Sequence, residues 1–186
     1  MTRKHRIWFP GAMYHITARG NRRSSLFNQR DDYLTYLGIL EDVRSMYPFH
    51  LHSYCLMTNH IHLQIETTNF HIQLIMKEMH SRYAIYFNKK YHYDGHVFQG
   101  RYGAEIIDTD QYFLEVSRYI HRNPLEAKMV KNLSSYEWSS YPSYLNLVDN
   151  HHVFPRKTLS YFQEPLTLNY KHFVENPIKK EQELLK

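Results

Sequence analysis

The stretch Thr58-Asn59-His60-Ile61-His62-Leu63-Gln64-Ile65-Glu66 limits what this chain can fold into more sharply than any other. Side chains alternate faces along a strand, so Ile61, Leu63 and Ile65 share one side while His60, His62 and Gln64 share the other. The apolar side can seal a core. Two imidazoles one residue apart are then aimed at one spot, as the ligands of a metal ion are. The pair alone is not decisive, because the chain holds 14 histidines and a second pair, His50 and His52, precedes it. His50 to Met57 reads as the neighbouring strand, joined through Thr58 and Asn59, the length of a tight hairpin. With so short a loop Met57 faces His60 and Cys55 faces His62. That register sends His50 and His52 to the opposite side of the sheet, as bystanders.

The remaining elements supply partners for this hairpin. Met13 to Arg19 reads as a first strand, followed by Gly20-Asn21-Arg22-Arg23, a turn carrying two cations. Asp31 to Tyr47 spaces Tyr33, Tyr36, Leu37, Leu40 and Val43 as a helix does, and Pro48 stops it. His71 to Lys89 repeats the pattern with Ile72, Ile75, Met79, Tyr83 and Phe87, ending where Lys89 and Lys90 favour the helix dipole. Val97 to Asp108 alternates as a fourth strand. The order is that of an α+β, ferredoxin-like fold: a βαββαβ antiparallel sheet with two helices on one face. The other face is left for a third helix, capped by Thr109 and running from Tyr112 to Arg122 until Asn123-Pro124 stops it. A chain of 186 residues suits one domain, expected over residues 1–145, with 146–186 as a weakly patterned tail that packs on the domain or extends from it. Lys179 and Lys180 read as part of a solvated helix there.

Charge and cysteine usage narrow the function classes. A formal charge of +5 suits a polyanionic partner. Cys55 is the single cysteine, which excludes an intrachain disulfide and a multi-cysteine zinc module. The basic start is interrupted by Pro10 and Gly11 before a signal-like apolar run develops, and no stretch approaches the ~20 apolar residues of a spanning helix. A soluble, cytoplasmic protein with no membrane partner is expected.

At about 100° per residue, Phe113, Val116 and Ile120 fall on one side of the third helix, and Tyr112, Glu115, Tyr119, Arg122 and Asn123 on the other. Side chains four apart converge, so Tyr119 and Asn123, flanked by Arg118 and Arg122, can act on one target if this helix lies on the open sheet face. A phenol with an unperturbed pKa near ~10 is a poor nucleophile at neutral pH, and adjacent cations or a metal favour the phenolate. His60 and His62 offer two metal ligands and Asn123 a third, leaving positions for water and a phosphate oxygen. Gln64 shares the histidine face and is the rival third ligand. Asn123 is preferred because it ties the helix to the metal and so fixes Tyr119 in register. Hard oxygen ligands and an anionic substrate point to Mg2+ or Mn2+. In that chemistry Tyr119 attacks a phosphodiester, forms a phosphotyrosine and releases a 3′-hydroxyl.

Four segments taken together resemble a family: Tyr14-His15-Ile16-Thr17-Ala18-Arg19-Gly20-Asn21-Arg22, Tyr54 to Leu63, Gly95-His96-Val97-Phe98-Gln99-Gly100-Arg101-Tyr102, and Ser117-Arg118-Tyr119-Ile120-His121-Arg122-Asn123-Pro124. In this order, over residues 13 to 141, they are similar to the HUH single-tyrosine transposases of bacterial insertion sequences (IS200-like), nearest the branch associated with repetitive extragenic palindromes, or REPs. The resemblance implies a ferredoxin-like enzyme that cleaves and rejoins single-stranded DNA beside a hairpin, using a divalent metal ion and a transient 5′-phosphotyrosine. By motif position His60 and His62 match the metal pair and Tyr119 the nucleophile. Asn123 stands where other branches carry a Gln ligand, and Gln64 stands where relatives are apolar. Tyr170 to Glu175 is similar to the tail of longer members.

Contacts to single-stranded or hairpin DNA are proposed by residue type: Arg19, Arg22 and Arg23 beside the turn, Asn21 reading a base edge or capping the turn, Gln99 and Arg101 on one face of the fourth strand, and Arg118 and Arg122 on the third helix. Tyr14, Phe98 and Tyr102 are either stacking platforms or core. The resemblance leaves open whether the protein is a monomer or a homodimer, and whether Tyr119 serves its own chain. Two other classes compete: an idle, domesticated relative that binds palindromic DNA as a regulator, and a hydrolytic zinc enzyme in which Cys55 joins His60 and His62.

Overall fold

The alternating residues do build a strand. β1 (Met13–Arg19) and β2 (Phe49–Met57) flank β3 (His60–Thr67), and β4 (Gly103–Ile107) completes the order β2-β3-β1-β4 with every neighbour antiparallel. This computed structural model describes residues 7–176, so the helix expected around Lys179 and Lys180 lies outside the described residues. α1 (Arg30–Met46) and α2 (Ile72–Tyr91) cover one face, where Ile61, Leu63 and Ile65 are fully buried with Ile16, Leu40, Ile75 and Tyr83. Each aliphatic side chain so buried contributes about 1.5–3 kcal/mol, which fixes the polar alternates His60, His62 and Gln64 on the other face. The architecture is the ferredoxin-like α+β sheet that the element order predicts. Among the described residues no helix is long and apolar enough to cross a membrane.

α3 (Asp110–Glu126) lies on the second face, over β2 and β3. Thr109 caps it, its side chain accepting from the Tyr112 N–H. Phe113, Val116 and Ile120 are buried against Cys55 and Met57. The helix does not stop before Pro124 as expected. Proline removes one intrahelical donor, but Pro124 is buried in the last turn and the Ala127 N–H still closes on the Asn123 carbonyl at 2.9 Å.

Two further expectations about the sheet fail for local reasons. The fourth strand starts only at Gly103, because Gly100 takes a left-handed φ of 69° that breaks the extended run. Gln99 and Arg101 therefore sit in an exposed loop rather than on a strand face. The second correction concerns His50 and His52. β2 carries a bulge: Leu51 pairs with Ile65 and Ser53 with Gln64, which leaves His52 as the extra residue. One extra residue reverses the parity of the strand before it. His52 thus lies on the α3 side, edge-on to Phe113 at 5.1 Å and 2.8 Å from the Glu66 carboxylate, which also takes Lys157 at 2.7 Å.

Residues 146–176 pack against the sheet and α3. Val153 joins the main core and the Phe154 N–H donates to the Leu51 carbonyl at 3.1 Å. α4 (Tyr141–Tyr144), α5 (Arg156–Leu159) and α6 (Leu166–Glu175) follow one another, and Tyr141, Tyr144, Tyr170 and Val174 form a smaller core against α3.

Candidate functional site

The polar face of the sheet and the outer side of α3 converge at one end of the molecule. Tyr119 projects from α3 half-exposed, its ring 5.3 Å from that of His62 and 5.6 Å from that of His15, both edge-on. His60 and His62 are 5.1 Å apart, centre to centre. Asn123, one turn beyond Tyr119, donates from Nδ2 to the Tyr119 carbonyl at 2.8 Å, and its side chain is close enough to His60 to influence it. These four side chains meet within one chain.

Each histidine of the pair has one nitrogen engaged inside the protein. His60 Nδ1 shares a 2.7 Å hydrogen bond with Asn59 Oδ1, and His62 Nδ1 a 3.1 Å bond with His15 Nε2. The Asn59 amide oxygen can only accept, so His60 carries its proton on Nδ1 and keeps Nε2 as a lone-pair donor, while His15 orients the His62 ring. Burial holds the His62 imidazole down to about 3, reinforced by His15, His60 and Arg19. His60 is lowered by burial and by Arg19, with Asn123 opposing. Neutral imidazoles crowded together and an amide oxygen facing them fit a cation, which ligates the neutral form.

Gln64, the rival ligand, is otherwise occupied. It is fully buried, its Oε1 accepts from Ser53 Oγ at 2.8 Å and its Nε2 donates to the Phe113 carbonyl at 2.8 Å, so it fastens α3 to the sheet. Cys55 faces His62 in the register, as the hairpin predicts, but packs in the apolar layer under α3. Burial pushes its thiol well up, the reverse of what a thiolate ligand needs.

The basic residues divide into two groups. Arg19 pairs opposite His60 in the sheet, and the turn beyond it carries Arg22 and Arg23, both exposed and both at left-handed φ (51° and 62°). Non-glycine residues held there cost free energy and cluster at functional sites. The turn is fixed by backbone bonds: Gly20 N–H to the Asn59 carbonyl, and Asn21 N–H to the Val97 carbonyl. Gly20 is required, since a Cβ there would stand 2.0 Å from the Ser24 carbonyl oxygen. Asn59 also donates to the Arg23 carbonyl at 3.3 Å, so one side chain links this turn to His60. Gln99 lies beside Arg19 through a backbone bond, 2.8 Å from its N–H to the Arg19 carbonyl. Arg19, Arg22 and Arg23 form no ion pair among the described residues.

Arg118 and Arg122 face the other way. Arg122 donates to the carbonyls of Val174 (2.9 Å) and Glu175 (3.2 Å) and pairs with Glu126. Arg118 donates to the Asn176 carbonyl and lies over the Phe173 ring. Both clamp the C-terminal end of α6, where cations offset orphan carbonyls. Of the stacking candidates, Tyr14 and Tyr102 are core residues, and Phe98 stacks on His80 at 4.0 Å.

His15 and Glu105 were not singled out by sequence reasoning. They pair in register across β1 and β4 and line, with Glu115 and Tyr119, a groove of about 500 Å³ between β4 and α3. The signal available was the alternation His15, Thr17, Arg19 on β1, which carries meaning only once β1 is known to lie beside β3.

A ferredoxin-like sheet with a His-x-His pair on its open face, under a helix bearing a tyrosine, is the arrangement of the single-tyrosine HUH class. The chain belongs to the IS200-like transposase family, a family of DNA-cleaving enzymes, whose profile (Transposase IS200 like) matches residues 9–123. A REP-associated tyrosine transposase solved bound to a REP hairpin shares the fold, with a TM-score of 0.69 and 17% identity over 83% of this chain and 98% of that one. A candidate transposase from Deinococcus radiodurans R1 aligns with 65% of this chain and 97% of its own length at 19% identity and a TM-score of 0.42. A comparison with curated proteins finds no significant match.

Proposed function

We propose that this protein is a metal-dependent tyrosine transposase that cleaves and rejoins single-stranded DNA next to a hairpin. The observation that carries this reading is the approach of Tyr119 to His62, 5.3 Å between rings, with Asn123 turned to His60 from the same helix. Tyr119 Oη attacks the phosphorus of a phosphodiester; the P–O3′ bond breaks, and the phenolic proton is balanced by the one the departing 3′-oxygen gains. The ester bond is conserved in the 5′-phosphotyrosine, so a 3′-hydroxyl can reverse the step and join strands. His60, His62 and Asn123 would hold Mg2+ or Mn2+, which when bound polarises the phosphate oxygens. Arg19, Arg22 and Arg23 hold the DNA backbone beside this site, with Asn21, Gln99 and Arg101 near them to contact bases or phosphate. The hairpin in the solved REP-associated relative supports a hairpin flanking the cut. Because the groups meet within one chain, a monomer suffices for a site. Its compartment would be the cytoplasm.

The test is incubation with Mn2+ and a hairpin-flanked single strand carrying a label 3′ of the cut, followed by denaturing electrophoresis. A protein–DNA adduct is expected, lost on chelation and reduced on the order of a thousandfold or more in Tyr119→Phe. Hairpin binding with no adduct would instead make the protein an idle regulator, and an adduct undiminished in Tyr119→Phe would remove Tyr119 from its role.

A further inference from the structure

Away from the His60–His62 pair, Glu41, His151 and His152 bring a carboxylate oxygen and two imidazole nitrogens within 4.8 Å of one another. Glu41 stands on α1, and the two histidines belong to the segment between α4 and α5. We propose that these three side chains form a second metal site, for an ion of the Zn2+ class, that clips the 149–153 segment to α1.

The ligand atoms are already gathered. His152 Nδ1 lies 2.7 Å from Glu41 Oε1, a hydrogen bond whose proton an ion would replace, and the His151 and His152 rings are 4.0 Å apart, centre to centre. Their backbone is held from several sides. The His152 N–H donates to Asn150 Oδ1 at 3.0 Å, its carbonyl accepts from Arg44 Nη2 at 2.6 Å, and Val153 is anchored in the core. Burial lowers His152, with Glu41 opposing.

Arg44 is the competing cation. Its Nη1 stands 3.3 Å from both Glu41 oxygens, a longer contact than that of His152, while its other arm is fixed on the His152 carbonyl. In that position it orients the carboxylate as an outer partner and leaves a lone pair of Oε1 for the ion. Two imidazoles and one carboxylate form the donor set of zinc; Mg2+ and Ca2+ take oxygen ligands. A groove of about 420 Å³ is lined by both histidines, with room for a water as a fourth ligand. The site is independent of the one above. Its loop hangs from Leu51 on β2, whereas His60 pairs with Met57, about 20 Å further along that strand.

Calorimetric titration of the full-length chain with ZnCl2, in a His60→Ala/His62→Ala background, tests the proposal. One zinc per chain is expected, with a rise in Tm, and Mg2+ should not compete. Adding His151→Ala, at an exposed position, should weaken binding by about tenfold or more. Glu41→Gln should do the same while keeping an acceptor for Arg44. In the chain with His60 and His62 intact, His151→Ala should lower the zinc count by one. No zinc uptake in the background chain overturns the site, as does uptake undiminished by His151→Ala. Adduct formation by His151→Ala then reports separately on the proposed active site.

Discussion

His15 illustrates how a side chain acquires a role from its neighbour. Its Nε2 shares a 3.1 Å hydrogen bond with His62 Nδ1, and its strand partner Glu105 accepts from Tyr112 Oη at 2.9 Å. A hydrogen bond of this kind to the inner nitrogen orients a histidine that offers its other nitrogen to a metal. His15→Phe keeps the ring and removes the hydrogen bond. Its Mn2+ affinity, measured by competition with a fluorescent chelator, should fall about 10- to 100-fold with the fold retained. Unchanged affinity would make His15 a packing residue. At this scale the sequence was informative where chemistry is rare: an alternating histidine pair and a tyrosine four residues before an asparagine stand out. Gln64 was ambiguous because an amide serves equally as ligand or as strut, and only its bonds to Ser53 and Phe113 distinguish the two.

Along α3, three sides of one helix do different work. Phe113, Val116 and Ile120 bind the sheet, Tyr119 and Asn123 face the histidines, and Arg118, His121 and Arg122 receive the C-terminal segment. The sequence distinguishes two sides and assigns Arg118 and Arg122 to DNA, since the segment that they hold instead is distant in sequence. Arg122→Ala should cost about 1–2 kcal/mol in urea melts, from lost charge-assisted bonds to carbonyls, and should speed hydrogen exchange in α6. If instead hairpin affinity fell and the salt slope dropped by about one, Arg122 would be a phosphate contact. The bulge at His52 is the other failure at this scale. Parity arguments run along a strand only until a residue is inserted, and no residue in Phe49–Met57 announces one.

For the whole molecule, burial of histidine sets the response to acid. His121 is fully buried, with Nδ1 2.7 Å from Tyr170 Oη and Nε2 2.7 Å from Ser140 Oγ, and burial holds it down to about 3. The unfolded chain takes up that proton near 6.5, so the contribution to stability is complete above 6.5 and is lost as pH falls toward 3. Urea midpoints should therefore decline from pH 7 to pH 4, and His121→Gln, though destabilised overall, should show a shallower decline, by up to about 1.4 kcal/mol per pH unit. Equal slopes would place the acid sensitivity elsewhere.

The order of strands and helices, the sealed apolar face and the pairing of Met57 with His60 and Cys55 with His62 were determined by the sequence itself, because side-chain period and turn length are local properties. The company each polar group keeps was decided only by the tertiary structure. Arg19 stands beside His60 while Arg118 and Arg122 grip α6, Gln64 braces α3, and His15 meets His62, all through contacts between residues far apart in the chain. A charge or an amide has the same composition in either setting, and its energy is fixed by what surrounds it once the chain has closed.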